Sequence, residues 1–397
     1  MLFHLLYPLS EQFPAFNVFR YITFRTASAV VTSLLLSMLL GPAFIRLLRR
    51  LSVGQNIRDV GPDRHQVKAG TPTMGGLLIL FAVIIPTLLW ANLLNPYVWL
   101  AVGVTVAFGA IGFTDDFLKI RRHQNLGLTA RSKMLLSIAV AVIAGVILLS
   151  LEGAYRFEPA IYFPFFKRAV LNLGILYLPF LALILVGSSH AVNLTDGLDG
   201  LAIGATLIAA ATYAIFTYVA GNSIVAGYLQ IPYVRGVGEV TVFCGALVGA
   251  SLGFLWFNSH PAEVFVGDVG SLAIGGAIGM VAVLAKQEIV LVLVGGLFVL
   301  EALSVIIQVG FFKATGGQRV FRMAPLHHHF ELSGWAEPKI IVRFWILAIM
   351  FALMGLGTLK LRCRCHGEIR TGTGCWYMDW ALRVWRPLVY CGVEELR

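Results

Sequence analysis

Asp115 and Asp116 stand side by side in "FTDDF". Adjacent carboxylates repel, and both ionise cheaply only when a cation lies between them. A divalent ion that prefers hard oxygen donors, Mg²⁺ or Mn²⁺, suits such a pair. The plainer reading is a solvated helix end with Lys119 nearby. Asp268 stands in "VFVGDVGS", and Asp196 and Asp199 stand in "NLTDGLDG". Asp196 and Asp199 are three apart, a spacing that puts both on one face of a helix. Gly197 and Gly200 allow tight turns or close ligand approach, while Asn193 and Thr195 add hydrogen-bonding groups. Asp196 and Asp268 also precede apolar runs, so an N-cap role competes with a ligand role at each.

Groups suited to anions complement these acids. His327, His328 and His329 form "PLHHHF". Three consecutive side chains cannot point one way on a helix, so a metal site made of this run alone is not expected. Imidazoles can bind phosphate oxygens, and Arg319 and Arg322 would reinforce an anion site. Attraction of a basic loop to anionic lipid is the alternative. Lys68 precedes "GTPTMGG", where Thr71 and Thr73 could line a ligand, although the string lacks a P-loop ending. Asn258 ends an apolar run. Phe265 can stack on a planar ligand or anchor at the membrane interface. Glu301 and Gln308 lie inside an apolar run, where an ionisable group is a functional candidate; interhelical hydrogen bonding is the favoured reading for Glu301. Acidic groups for a metal and basic groups for anions together suit phosphoryl transfer from a soluble donor to a lipid acceptor.

The elements that must position these groups are membrane spans. The 397 residues are 58% hydrophobic and 13% charged, with mean hydropathy +0.83. Apolar runs of about 20 residues span a bilayer as helices. The sequence predicts an all-α integral membrane protein, a polytopic bundle of about ten transmembrane helices, near 22–46, 73–93, 98–117, 133–151, 170–187, 200–219, 240–257, 267–285, 288–312 and 340–361. The net charge of +10 does not point to nucleic acid, because Lys and Arg cluster in short loops. They favour the loops after the odd-numbered spans, which places those loops in the cytoplasm and both termini outside. Every unusual polar stretch falls in an odd-numbered loop, so the chemistry gathers on one face. Transporters usually keep their polar site near the midplane on broken helices. An enzyme with a cytoplasmic-face active site is therefore favoured over a cation-coupled transporter. The five cysteines form neither a disulfide framework nor a zinc pattern. No signal-peptide pattern opens the sequence, and the first apolar run is expected to stay as an anchor.

Taken in order, "GTPTMGG", "FTDDF", "NLTDGLDG", "FVGDVGS" and "RMAPLHHHFE" resemble the phospho-N-acetylmuramoyl-pentapeptide transferases of the polyprenyl-phosphate N-acetylhexosamine-1-phosphate transferase superfamily. The resemblance covers about residues 15–362, and "PLHHHFE" points to the muramoyl-pentapeptide branch rather than to transferases that use UDP-GlcNAc. It implies transfer of phospho-MurNAc-pentapeptide from UDP-MurNAc-pentapeptide to undecaprenyl phosphate, giving lipid I and UMP, with Mg²⁺ required, in a bacterial inner membrane. By motif position, Asp115, Asp116 and Asp268 resemble the catalytic carboxylates. On that resemblance Asp268 would be the best-supported Mg²⁺ ligand, and Asp115 would deprotonate the lipid phosphate or coordinate metal beside it. Lys68, Thr73, Asn193, Asp196, Asp199, Asn258, Phe265 and Gln308 resemble the nucleotide and inhibitor pocket, with Phe265 stacking on uracil. His327 and His328 resemble a phosphate or sugar contact. Two departures stand out. His190 replaces the Asn usual before "AVNLTDG", and residues 363–397 extend past the family's end, where an atypical, poorly ordered tail is expected, with a peripheral interfacial helix around Trp376–Leu388 as the alternative. Gly-rich helix faces fit packing within one chain or in a homodimer.

Overall fold

In hydrocarbon a backbone must satisfy its own hydrogen bonds, so the apolar runs become helices. The structure, a computed structural model, describes residues 1–50, 71–122, 127–164 and 170–361. Lys68 and the tail 363–397 lie outside the described residues. The helices are α1 (Leu2–Leu6), α2 (Ile22–Arg50), α3 (Gly76–Trp90), α4 (Pro96–Arg122), α5 (Ala130–Leu149), α6 (Tyr177–Thr195), α7 (Leu201–Ala220), α8 (Ser223–Leu229), α9 (Val240–Asn258), α10 (Gly267–Leu284), α11 (Val290–Val294), α12 (Gly296–Ala314), α13 (Leu326–Leu332) and α14 (Glu337–Leu361). A short antiparallel hairpin, β1 (Ala160–Tyr162) and β2 (Val170–Asn172), interrupts them. Among the described residues nine helical segments are long and apolar enough to cross a membrane, and the shorter apolar α3 adds a tenth. The protein is a multi-pass, all-α membrane protein.

Helix α10 is the hub. Its apolar window is 89% buried, against 22% for the peripheral α12, and it packs on α3, α4, α6 and α7. Small residues permit this crowding. A Cβ on Gly275 would meet the Ser189 Cα at 2.6 Å, and one on Gly76 would meet the Gly270 nitrogen at 2.1 Å.

Three spans depart from expectation. Helix α4 continues past 117 to Arg122, so Asp115 and Asp116 sit within the helix rather than at its end. The span expected at 170–187 is shifted: residues 170–172 are β2, and α6 runs from Tyr177 to Thr195. Apolar strand residues look like helix residues in sequence, while the polar end of α6 looks like a loop. There the helix persists, with Thr195 Oγ1 donating back to the Ala191 carbonyl at 2.8 Å. The span expected at 288–312 is broken at Gly295–Gly296 into α11 and α12.

The end of the bundle that carries the hairpin is closed by buried charge. Arg25 reaches both carboxylate oxygens of Glu239 at 2.7 and 2.8 Å. Lys286 is buried there as well. Its ammonium donates to the carbonyls of Glu158 and Ala160 and lies 3.5 Å from the Phe157 ring centroid, pinning the hairpin region to the bundle.

Candidate active site

The opposite end brings several helix termini together. The C-terminal part of α4 supplies Asp115, Asp116 and Lys119; the first turns of α10 and α5 supply Asp268 and Lys133. Asp115 and Lys119 are one helical turn apart, so they share a face. Gly112, a turn earlier on α4, lets that face approach the start of α10: a Cβ there would lie 2.1 Å from the Asp268 carbonyl oxygen. Oxygens of Asp115, Asp116 and Asp268 consequently lie within 4.8 Å of one another.

Two lysines hold this acidic centre. Lys119 Nζ lies 2.6 Å from Asp115 Oδ2, 3.3 Å from Asp116 Oδ1 and 2.7 Å from Asp268 Oδ2. Lys133 Nζ is 2.8 Å from Asp268 Oδ2 and 3.8 Å from Asp115 Oδ2. Asp115 Oδ1 also accepts from the Leu128 N–H at 2.8 Å, and Asp116 Oδ2 from the Val269 N–H at 3.3 Å. Asp116 thereby draws on the positive N-terminus of α10. Asp268 is not an N-cap; Val266 holds that position, and the Asp268 carboxylate turns to the lysines. The donor set is hard oxygen, two of its members are buried and the third is partly open. These residues fit a Mg²⁺-like cation. Sequence reasoning passed over Lys133 and gave Lys119 only as a neighbour. The i,i+4 spacing from Asp115 was the available signal for Lys119; nothing local ties Lys133 to the aspartates.

Around this centre, Thr73 is close by: a Cβ on Gly267 would lie 2.8 Å from Thr73 Oγ1 and 2.7 Å from Asp116 Oδ2. Asn193 accepts from Ser271 Oγ at 2.8 Å, joining α6 to α10. Asp196 and Asp199 do not share a helix face. Asp196 is the C-cap of α6, and the chain turns through Gly200, whose φ of +79° opens α7. Nor is Asp196 an N-cap, because Gly200 occupies that position for α7. Burial, then the charges of Asp268, Asp116 and Asp199, push the Asp196 carboxyl up to about 8. Asp199 Oδ2 accepts from the Ala262 N–H at 3.2 Å and lies 3.2 Å from His260 Nδ1, while its backbone N–H donates to Glu337 at 3.1 Å. Asn258 ties the same turn down, accepting from the Gly200 N–H at 3.1 Å and donating to the Val264 carbonyl at 2.8 Å. His260 and Glu337 were not foreseen, for they meet Asp199 only through the fold.

Phe265 is half-buried, its backbone bonded to Pro72 and Gly75. Gln308 accepts from the backbone N–H groups of Val320 and Phe321 at 3.2 and 2.9 Å, so it shapes that loop. The histidines diverge. His327 is fully buried, its backbone N–H 3.2 Å from Glu301 Oε1 and its Nδ1 3.3 Å from Glu301 Oε2. Its Nε2 packs against Gly197, where a Cβ would come within 2.2 Å. Burial makes His327 a support between α12 and the 196–200 turn rather than an open contact surface. His328 Nδ1 pairs with Glu331 at 3.1 Å, and His329 Nδ1 accepts from the Arg322 N–H at 3.1 Å. His190, one turn before Asn193 on α6, has Nε2 3.3 Å from Ser137 Oγ.

Comparison with known proteins fits this geometry. Residues 98–286 match the glycosyl transferase family 4 model, and residues 68–80 match phospho-N-acetylmuramoyl-pentapeptide-transferase signature 1. The phospho-N-acetylmuramoyl-pentapeptide-transferases of Oleidesulfovibrio alaskensis and Nitratidesulfovibrio vulgaris are each 59% identical over 362 residues, 91% of this chain and all of theirs. The chain belongs to the phospho-N-acetylmuramoyl-pentapeptide-transferase family. The namesake from Citrifermentans bemidjiense, 57% identical over the same share of both chains, agrees. For a member of this transferase family the gathering of helix ends around Asp115, Asp116 and Asp268 is the natural candidate centre. The residues of the 196–200 turn and its supports form its flank.

Proposed function

We propose that the chain transfers phospho-MurNAc-pentapeptide from UDP-MurNAc-pentapeptide to undecaprenyl phosphate, giving lipid I and UMP, with its active site on the cytoplasmic face of a bacterial inner membrane. The observation that carries this reading is the meeting of three aspartates and two lysines at one end of a membrane bundle whose relatives bear the transferase name. The excess of Lys and Arg in the loops at that end supports the cytoplasmic orientation.

Asp115, Asp116 and Asp268 would hold the Mg²⁺. Bound there, it neutralises charge on the diphosphate and on the departing UMP. The attacking group is an oxygen of undecaprenyl phosphate. It forms a bond to the sugar-linked phosphorus as the bond to the UMP oxygen breaks, and UMP leaves with the electron pair. Direct attack asks less of the residues present than a covalent phospho-enzyme does. Among the described residues Lys119 and Lys133 are the cations that touch those aspartates, suited to the phosphoryl oxygens. Asp115 can take the lipid phosphate's proton when it carries one. The turn of Asp196 and Asp199, with Asn193, Asn258, Thr73 and Phe265, receives the nucleotide, Phe265 stacking on uracil. Lys68 belongs to the same pocket by motif. Gln308 and His327 hold the loops that border it, leaving His328 as the histidine that faces the sugar phosphate.

The test is UMP release by purified protein in detergent, given undecaprenyl phosphate and Mg²⁺. Release is expected with UDP-MurNAc-pentapeptide and not with UDP-GlcNAc. Release with UDP-GlcNAc alone, or with neither donor, would overturn the proposal.

A further inference from the structure

Lys119 stands where a divalent ion held by the three aspartates would also have to sit. Its ammonium touches oxygens of all three aspartates at 2.6 to 3.3 Å. A Mg²⁺ bound by those carboxylates sits about 2.1 Å from its oxygens. An ammonium kept in contact with the same oxygens would then lie against a dication at close range, where like charges repel strongly. Lys133 does not face this conflict in the same degree, since it is close to Asp268 alone and stands 3.8 Å from Asp115. The two side chains also differ in freedom: that of Lys119 is 33% exposed and that of Lys133 14%. Lys119 has solvent to move into and a flexible four-carbon stem to move on.

We infer that Lys119 is an internal cation that competes with the divalent ion for the carboxylate centre, so that metal entry displaces its ammonium toward the phosphate to be transferred. The inference rests on Asp115, Asp116 and Asp268 being the metal site. Its first consequence is that the lysine holds the three acids together without metal. Its second is that metal binding becomes an exchange of one cation for another, weaker than the bare acidic cluster would give. Its third is that the displaced ammonium stays tethered one turn from Asp115, beside any phosphate the ion attracts.

Binding, not turnover, tests it. Mn²⁺ is titrated into the full chain in detergent without substrates, and free ion is read by electron paramagnetic resonance. Lys119→Met is expected to tighten Mn²⁺ binding by about tenfold or more, and Lys133→Met by clearly less. Equal tightening in the two variants, or unchanged or weaker binding in Lys119→Met, would overturn the inference. Absence of Mn²⁺ binding in every form would overturn the metal reading itself, and the exchange with it. A second readout needs no variant: amine acylation of Lys119 in the unmodified chain, followed by peptide mass spectrometry. Saturating Mn²⁺ should speed that modification; an unchanged or slower rate contradicts displacement.

Discussion

The two ends of the helix bundle both bury charge, and they do so in different ways. At the hairpin end Arg25 is matched to Glu239 at two points, and Glu239 also accepts from the Asn92 N–H at 3.1 Å. Lys286 is enclosed by two carbonyls and two aromatic rings, with Glu288 nearby bonded to the Tyr177 hydroxyl. Burial brings Lys286 down to about 8. Arg25 and Glu239 match in charge, Lys286 is held by backbone carbonyls and Glu288 by a hydroxyl, and the cluster is a clasp. At the other end, among the described residues, three carboxyl groups face two ammonium groups, one acid more than the lysines match. One of those lysines is a third exposed. An excess of one sign next to an open side chain is a place for a ligand, whereas one-to-one pairing sealed by backbone is architecture. Buried charge by itself does not tell the two apart; the balance of charge and the openness do.

Removing acids from the open end should cost chemistry rather than stability. Asp116→Asn is expected to lower UMP release by about 10³-fold or more, while its melting temperature in detergent stays near that of the parent. At the closed end the pattern reverses. Arg25→Met leaves the largely enclosed Glu239 without its guanidinium partner and should cost about 3 kcal/mol of stability, measured by thermal denaturation, with turnover per folded molecule kept. Replacing both, Arg25→Met with Glu239→Leu, should recover most of that loss, because a buried pair is often no better than the apolar groups that replace it. A double variant as unstable as Arg25→Met alone would count against the clasp.

A further prediction concerns pH. Asp196 has its carboxyl raised from 3.8 to about 8, so the fold binds its proton more tightly than the unfolded chain does. That contribution to stability is whole below the unfolded value and drains away as pH rises through about 8. With chelator present, the parent should lose stability relative to Asp196→Asn as pH climbs through this window, and the gap should level off above it. Parallel stability curves for the two proteins would contradict a raised carboxyl at Asp196.

Much of the site was legible because polar residues are conspicuous in apolar sequence. Asp115, Asp116, Asp268 and the 193–200 string could be picked out for that reason, and all lie at one end of the bundle. What escaped came from two causes. Lys133, His260 and Glu337 reach their partners across long stretches of chain, and their own neighbourhoods look like ordinary loops and helix starts. Spacing also misled where the backbone changed state. Asp196 and Asp199 fit a helix face by count, but the left-handed Gly200 puts a turn between α6 and α7. Val170 and Leu171, apolar residues of β2, moved the predicted start of α6, because apolar character alone does not separate a short strand from a helix. His327, expected at a phosphate or sugar contact, is enclosed by Glu301 and Gly197, partners far from it in sequence.

The most direct test of where the chemistry lies is Mg²⁺-dependent UMP release per folded molecule by Asp268→Asn. The expected result is a stably folded protein whose rate is down by about 10³-fold or more and is not restored by raising Mg²⁺. Near-normal turnover in that variant would take Asp268 out of the centre and contradict the assignment of the open end as the active site.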